Sequence, residues 1–132
     1  MYFFKRKVIK RTSKNLETLS NAYIASKDKL KAADTLLEAS KLSEKSDLSF
    51  RLGQVEMSLS RWSKAIDSFK LAKEKGWDKE EGKIEYFIGI SLIELEKYNE
   101  ASNYLAQSIE LGQESIAKPW LEYIDYLKKT SG

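Results

Sequence analysis

The chain has 132 residues, 42% of them apolar and 11% aromatic, which is enough to bury one continuous core and is most simply a single domain. Cysteine and histidine are both absent, which excludes thiolate nucleophiles, disulfides, thiolate or imidazole metal sites and the commonest general base. The net charge of +3 is unevenly placed: Lys5, Arg6, Lys7, Lys10, Arg11 and Lys14 take six of the 23 basic residues, leaving 17 against 20 acidic ones in a mildly acidic body.

In chain order, residues 1–13 read as a basic arm or as the stump of a preceding helix. Its cations suit a nucleic-acid backbone or a membrane surface, and Tyr2, Phe3 and Phe4 suit a lipid interface or a second copy of the chain. A solvated end accounts for the same residues more simply. Met1 to Phe4 is too short for a signal-peptide core, and no run of 18 apolar residues occurs, so the expectation is a soluble chain with no transmembrane segment and no export signal.

Residues 14–132 carry helical periodicity throughout, and divide at about 14–45, 46–81, 82–117 and 118–129. The first unit predicts a helix over about Lys14 to Ser26 and a second stripe at Leu30, Ala33, Leu37 and Ser40. In the second unit, Leu48, Leu52, Val55, Glu56 and Leu59 make one stripe with Gly53 facing the next helix. Trp62, Ala65, Ile66, Phe69 and Ala72 make the other, stopped by Lys73, Lys75 and Gly76. Asp78 with Glu81 has capping-box spacing and predicts a helix opening near Lys79 to Glu81.

The third unit repeats the pattern with Ile84, Phe87, Ile88, Ser91, Leu92 and Leu95, then Tyr98, Ala101, Leu105, Ser108 and Ile109, ending at Gly112. Pro119 predicts a helix start, followed by Trp120, Leu121, Ile124 and Leu127 on one face. Asp125 falls where the repeat has a small residue, as suits a terminal cap with a polar outer side.

The repeat itself is explicit. Gly53 and Gly89, Trp62 and Tyr98, Ala65 and Ala101, Phe69 and Leu105, Ala72 and Ser108, and Gly76 and Gly112 are each 36 residues apart. Small residues at 53 and 65 let two helices approach closely, while Trp62 and Phe69 fill the space toward the neighbouring hairpin. The first unit sits 32 residues before the second on its stripe, and carries Asn21 where the others have glycine.

Leu52-Gly53, Trp62, Ala65, Phe69 and Ala72, then Ile88-Gly89, Tyr98, Ala101, Leu105 and Ser108, with a fainter echo at Leu30, Ala33, Leu37 and Ser40, resemble the tetratricopeptide repeat. The resemblance covers about residues 14–128 and implies an all-α, right-handed superhelical array of about three helical hairpins plus a C-terminal capping helix. The usual period is about 34 residues. The loop from Gly76 to Gly82, with Ala117, Trp120, Tyr123 and Ile124, is similar to the C-terminal repeats of bacterial envelope proteins linked to TonB-type energy-coupling systems. On that likeness the chain is a fragment whose parent is periplasmic; otherwise the expectation is a cytoplasmic protein.

The family resemblance implies a concave groove lined by the first helix of each hairpin. It points Asp47, Phe50, Gln54, Met57 and Ser58, then Lys83, Tyr86, Ile90, Ile93 and Glu94 into it, and from the first unit Asn15, Thr18, Ala22, Ala25 and Ser26. Members that clamp a peptide's terminal carboxylate use Lys, Arg and Asn there; Lys83 and Asn15 alone are too few. The expected partner is therefore a peptide or amphipathic helix held by Phe50, Met57, Tyr86, Ile90 and Ile93, although such a stripe serves equally as core between repeats. Self-association of an end segment is the alternative, and Trp77 suits either a contact or a tuck against the previous helix.

No catalytic, cofactor or metal site is expected. The carboxylates, Glu80-Glu81 and Glu94 with Glu96 among them, read as solvated faces and caps, and the glycine loop lacks the Lys-Ser/Thr of a phosphate cradle.

Overall fold

The computed structural model describes residues 10–130. They form seven helices: α1 (Ser13–Ala25), α2 (Lys29–Lys41), α3 (Ser46–Ser58), α4 (Trp62–Glu74), α5 (Lys83–Glu94), α6 (Tyr98–Ser108) and α7 (Glu114–Thr130), with a π-type turn, Ile109–Gln113, joining the last two. Each helix packs on the one before and the one after it, so three hairpins stack and α7 closes the stack. Tyr2 to Phe4 and Lys5 to Lys7, for which the sequence suggests surface contacts, lie outside the described residues.

The hairpin turns share one geometry. Lys27, Ser60 and Glu96 all have positive φ, at 62°, 57° and 60°. In each turn the next amide donates five residues back, from Asp28 to Tyr23, Arg61 to Glu56 and Lys97 to Leu92, which satisfies the last carbonyls of the first helix. Glycine usually takes such a position; here three side-chain-bearing residues are held in it. Gly76, with φ of 89°, plays the same part after α4 and stops that helix as its sequence predicts.

Close approach within the hairpins explains the small residues. A Cβ at Gly53 would lie 2.7 Å from the ring of Phe69, and one at Gly89 would lie 2.8 Å from Leu105. Ala65, Ala72 and Ala101 are likewise fully buried. Phe69 reaches onward and stacks on Phe87 of the next hairpin with ring centroids 5.3 Å apart. Trp62 opens α4 half-buried, and Tyr98 opens α6 packed on the core.

The first unit has a different register from the one expected. Leu30 and Leu37 are 55% and 43% exposed, whereas Ala32, Leu36 and Ala39 are fully buried. Those three lie 33 residues before Ala65, Phe69 and Ala72, as α1 starts 33 before α3 and Lys27 lies 33 before Ser60. The small position is therefore Ser20, which is fully buried, and not Asn21, which is exposed. Ser20 hides its hydroxyl by donating to the Glu17 carbonyl at 2.7 Å. The leucines at 30 and 37 matched the template by hydrophobicity, but one residue of slip turns them about 100° away from the core.

Two boundaries also move. α5 begins at Lys83 behind Gly82, which caps without a side chain, so Asp78 and Glu81 form no capping box. That stretch is held as a loop instead: Gln113 donates to the Glu81 carbonyl at 2.8 Å, Ser108 donates to the Gly82 carbonyl at 2.8 Å, and Lys79 pairs with Asp47 at 2.7 Å. The capping helix begins at Glu114 and not near 118, because the π-type turn, with Gly112 at φ of 102°, passes the chain from α6 to α7 without a loop. Pro119 consequently sits inside α7, where it removes one backbone donor, rather than at the helix start. Ile124 is fully buried and Asp125 exposed, as a cap requires.

The apolar interior falls into two clusters, one from α1 to α3 around Leu16, Leu36, Leu48 and Leu52, the other from α4 to α7 around Phe69, Ile88, Leu105 and Ile124. Polar groups are buried near the junction. Ser68 donates to Glu56, a residue only 5% exposed, and burial pushes that carboxyl above its ordinary value against the opposing pull of Ser68, Lys64 and Arg61. Glu85 is buried too and accepts from Lys73 at 2.5 Å. Neither carboxylate is a solvated face, which corrects the expectation for the acidic residues. Lys75 ties the hairpins together by donating to the carbonyl of Ser40 in the last turn of α2, at 2.7 Å, and to that of Ser43 just beyond the helix, at 2.8 Å.

Candidate partner-binding groove

The side chains assigned to the groove lie on α3 and α5, but differ in how open they are. Gln54 is exposed, and Met57, Tyr86, Ile90 and Lys83 are half-buried. Ile93 is only 7% exposed and belongs to the core. Phe50 is engaged on both sides: it stacks on Trp77 with centroids 4.0 Å apart and planes 8° from parallel, and meets Phe69 edge-on at 5.6 Å. Trp77 is thus tucked against α3. Lys83 sits 5.9 Å from the Phe87 ring and 3.7 Å from Glu80, so its charge is already attended.

The register shift changes the contribution of α1. Counting 33 back from Asp47, Phe50, Gln54 and Met57 gives Lys14, Glu17, Asn21 and Ile24 in place of Asn15, Thr18, Ala22 and Ala25. The structure bears on this directly, since Arg51 donates to Asn21 Oδ1 and lies 3.7 Å from Glu17, a polar link between α1 and α3.

Two hollows open along this side. The first, about 410 Å³, lies between the α1–α2 turn and α3, with Ile24, Lys27, Lys29, Arg51 and Val55 among its walls. The second, about 560 Å³, lies between the α5–α6 turn and α7, walled by Ile93, Glu94, Glu96, Tyr98, Trp120, Tyr123 and Leu127. Sequence reasoning assigned none of Lys27, Lys29, Glu96 and Tyr123 to a site. The signal was available in the turns, because Lys27 and Glu96 stand at the same repeat position, but it becomes readable only once the register of the first unit is right.

Arg11 and Glu38 form a two-bonded pair at 2.5 and 2.7 Å, which raises the guanidinium pKa and lowers that of the carboxyl, chiefly through the hydrogen bond. Among the described residues no helix is long and apolar enough to cross a membrane.

No protein-family model and no curated protein matches this sequence. Solved structures do. The TPR domain of Arabidopsis OM64 is 23% identical, with a TM-score of 0.71 over 85% of this chain and 93% of that one. The first TPR of Spaghetti (RPAP3), bound to the HSP90 peptide SRMEEVD, is 18% identical, with a TM-score of 0.75 over 89% and 93%. PcrH, in complex with the chaperone binding region of PopD, is 15% identical, with a TM-score of 0.74 over 87% and 92%. The fold of this chain is that of the tetratricopeptide domains, a solenoid of helical hairpins.

Proposed function

We propose that this chain is a non-catalytic protein-interaction scaffold that holds an extended peptide or an amphipathic helix against the faces of α1, α3, α5 and α7. The observation that carries the reading is the row of half-buried and exposed side chains along α3 and α5, Gln54, Met57, Tyr86 and Ile90, of which Gln54 also lines the first hollow. Two similarly folded proteins, Spaghetti and PcrH, are seen with a peptide or protein segment bound, which supports the same use here. The buried carboxylates Glu56 and Glu85 have internal partners and suit stability better than proton transfer.

Peptides selected from a random display library on the whole chain test the proposal. Gln54→Arg combined with Tyr86→Ala should weaken the selected peptides by about tenfold or more while circular dichroism stays unchanged. Binding that survives both changes would place the peptide elsewhere and end the groove reading.

A second reading, a self-associating end segment of a longer solenoid, draws on one contrast. Leu52 is 3% exposed beneath α2, whereas Leu19, its equivalent in α1, is 39% exposed. If that face stacks on another copy, light scattering shows concentration-dependent dimers that Leu19→Glu abolishes; a monomer at all concentrations removes this reading. The link to TonB-type envelope proteins and a periplasmic location belong with it, and fractionation of cells expressing the complete gene would decide the compartment.

A further inference from the structure

The two hollows occupy the same place in their repeats and differ in chemistry. Ile24, Lys27, Lys29, Arg51 and Val55 of the first correspond, through the 33- and 36-residue offsets, to Ile93, Glu96, Tyr98, Tyr123 and Leu127 of the second. The apolar floor is kept, Ile24 to Ile93 and Val55 to Leu127. The rim is inverted: each cation of the first hollow is replaced by a carboxylate or a phenol ring. Since the α1–α2 and α5–α6 turns share one geometry, the turn itself does not call for that change.

We propose that the hollow between the α5–α6 turn and α7 receives a cationic side chain, arginine ahead of lysine, of the segment bound in the groove. Trp120 and Tyr123 stand nearly perpendicular, at 83° with centroids 6.0 Å apart, and so offer two differently directed ring faces. A guanidinium lies flat on such a face, attracted by its negative quadrupole. Glu94 and Glu96 are exposed on the same wall, and neither forms an ion pair among the described residues. Among the described residues no lysine or arginine lines the hollow, so an incoming cation meets two carboxylates there. The turn residue Glu96 is held there by its positive φ, 60°, with the amide of Glu96 bonded to the Ile93 carbonyl at 2.9 Å. The volume, about 560 Å³, admits a long side chain together with its backbone.

This assignment rests on the groove reading above. It is tested on the whole chain by nuclear magnetic resonance, following the Trp120 indole N–H, assigned by Trp120→Phe, during titration with acetyl-arginine amide, acetyl-lysine amide, acetyl-norleucine amide and acetyl-aspartate amide. The arginine compound should move the signal most and the lysine compound next. The norleucine compound, which keeps the four-carbon stem of lysine without its charge, should bind about fivefold or more weaker than arginine, and the double variant Glu94→Gln/Glu96→Gln should weaken arginine about tenfold without altering the helical spectrum. Equal response to norleucine, an arginine response indifferent to the double variant, or no response to either cation overturns the assignment. Display-selected peptides separate this from failure of the groove itself: loss of binding on Gln54→Arg with none on Glu94→Gln/Glu96→Gln keeps the groove and removes the cation site.

Discussion

The first and second hairpins are built on one backbone plan, 33 residues apart, and fill it with different side chains. In the second, Gly53 yields its space to Phe69; in the first, Ser20 stands at the glycine position and Leu36 at the phenylalanine position, all four fully or nearly fully buried. Bulk lost on one helix is regained on the other. What the repeat conserves is the combined volume between two helices, not the identity of either residue, which is why a template written as residue types slipped by one position in the first hairpin.

Four measurements break or sharpen that comparison. Phe69 joins both sides of the second hairpin, so Phe69→Ala should cost about 3–5 kcal/mol in urea unfolding, and more than Leu36→Ala at the equivalent place. Equal losses would mean that the aromatic bridge to Phe87 contributes nothing. Next in size, Gly53→Ser should overpack against Phe69 and cost about 1–3 kcal/mol. Combining it with Phe69→Leu, which converts the pair to that of the first hairpin, should recover about 1 kcal/mol relative to the sum of the single changes. Strict additivity would defeat the volume argument.

The hairpins differ in a third respect, since Glu56 of the second corresponds to Tyr23 of the first. Burial raises the folded-state value of Glu56, so the folded chain binds more protons than the unfolded chain in the window above the ordinary 4.5, and stability falls as pH rises through that window. Glu56→Gln keeps an acceptor for Ser68 and should flatten this fall and raise the melting temperature at neutral pH. A steeper pH dependence in the variant would reverse the sign assigned here. The smallest effect concerns the shared turn: Ser60→Gly should relieve the positive φ at 57° and stabilise by about 0.5–1 kcal/mol, and Lys27→Gly in the first hairpin by a similar amount. Destabilisation at both would show that side-chain contacts, not backbone strain, dominate those turns.

The second and third hairpins were legible because their close contacts are made by glycine, alanine and large rings, which stand out at fixed spacing. Gly53, Gly89, Ala65 and Ala101 lie where the alternation of size places them. In the first hairpin the same contacts use serine, alanine and leucine, and two exposed leucines mimic the stripe. The loop before α5 misled for a different reason: Asp78 and Glu81 have the spacing of a cap, but Gln113 and Asp47, distant in the chain, compete for that loop and hold it open. For the proposed groove the sequence offers positions on α3 and α5, but it does not show the two hollows, because each is closed by a turn and by a helix from the following unit.

The sequence alone determined a stack of helical hairpins, since helical period, size alternation and glycine stops are local properties that every segment carries. Only the tertiary structure decided the register of the first hairpin, the burial of Glu56 and Glu85, and the opposite charges of the two hollows. These depend on which residues meet across separate helices, and a shift of one position, which hydrophobicity barely registers, turns a side chain by about 100° from core to solvent.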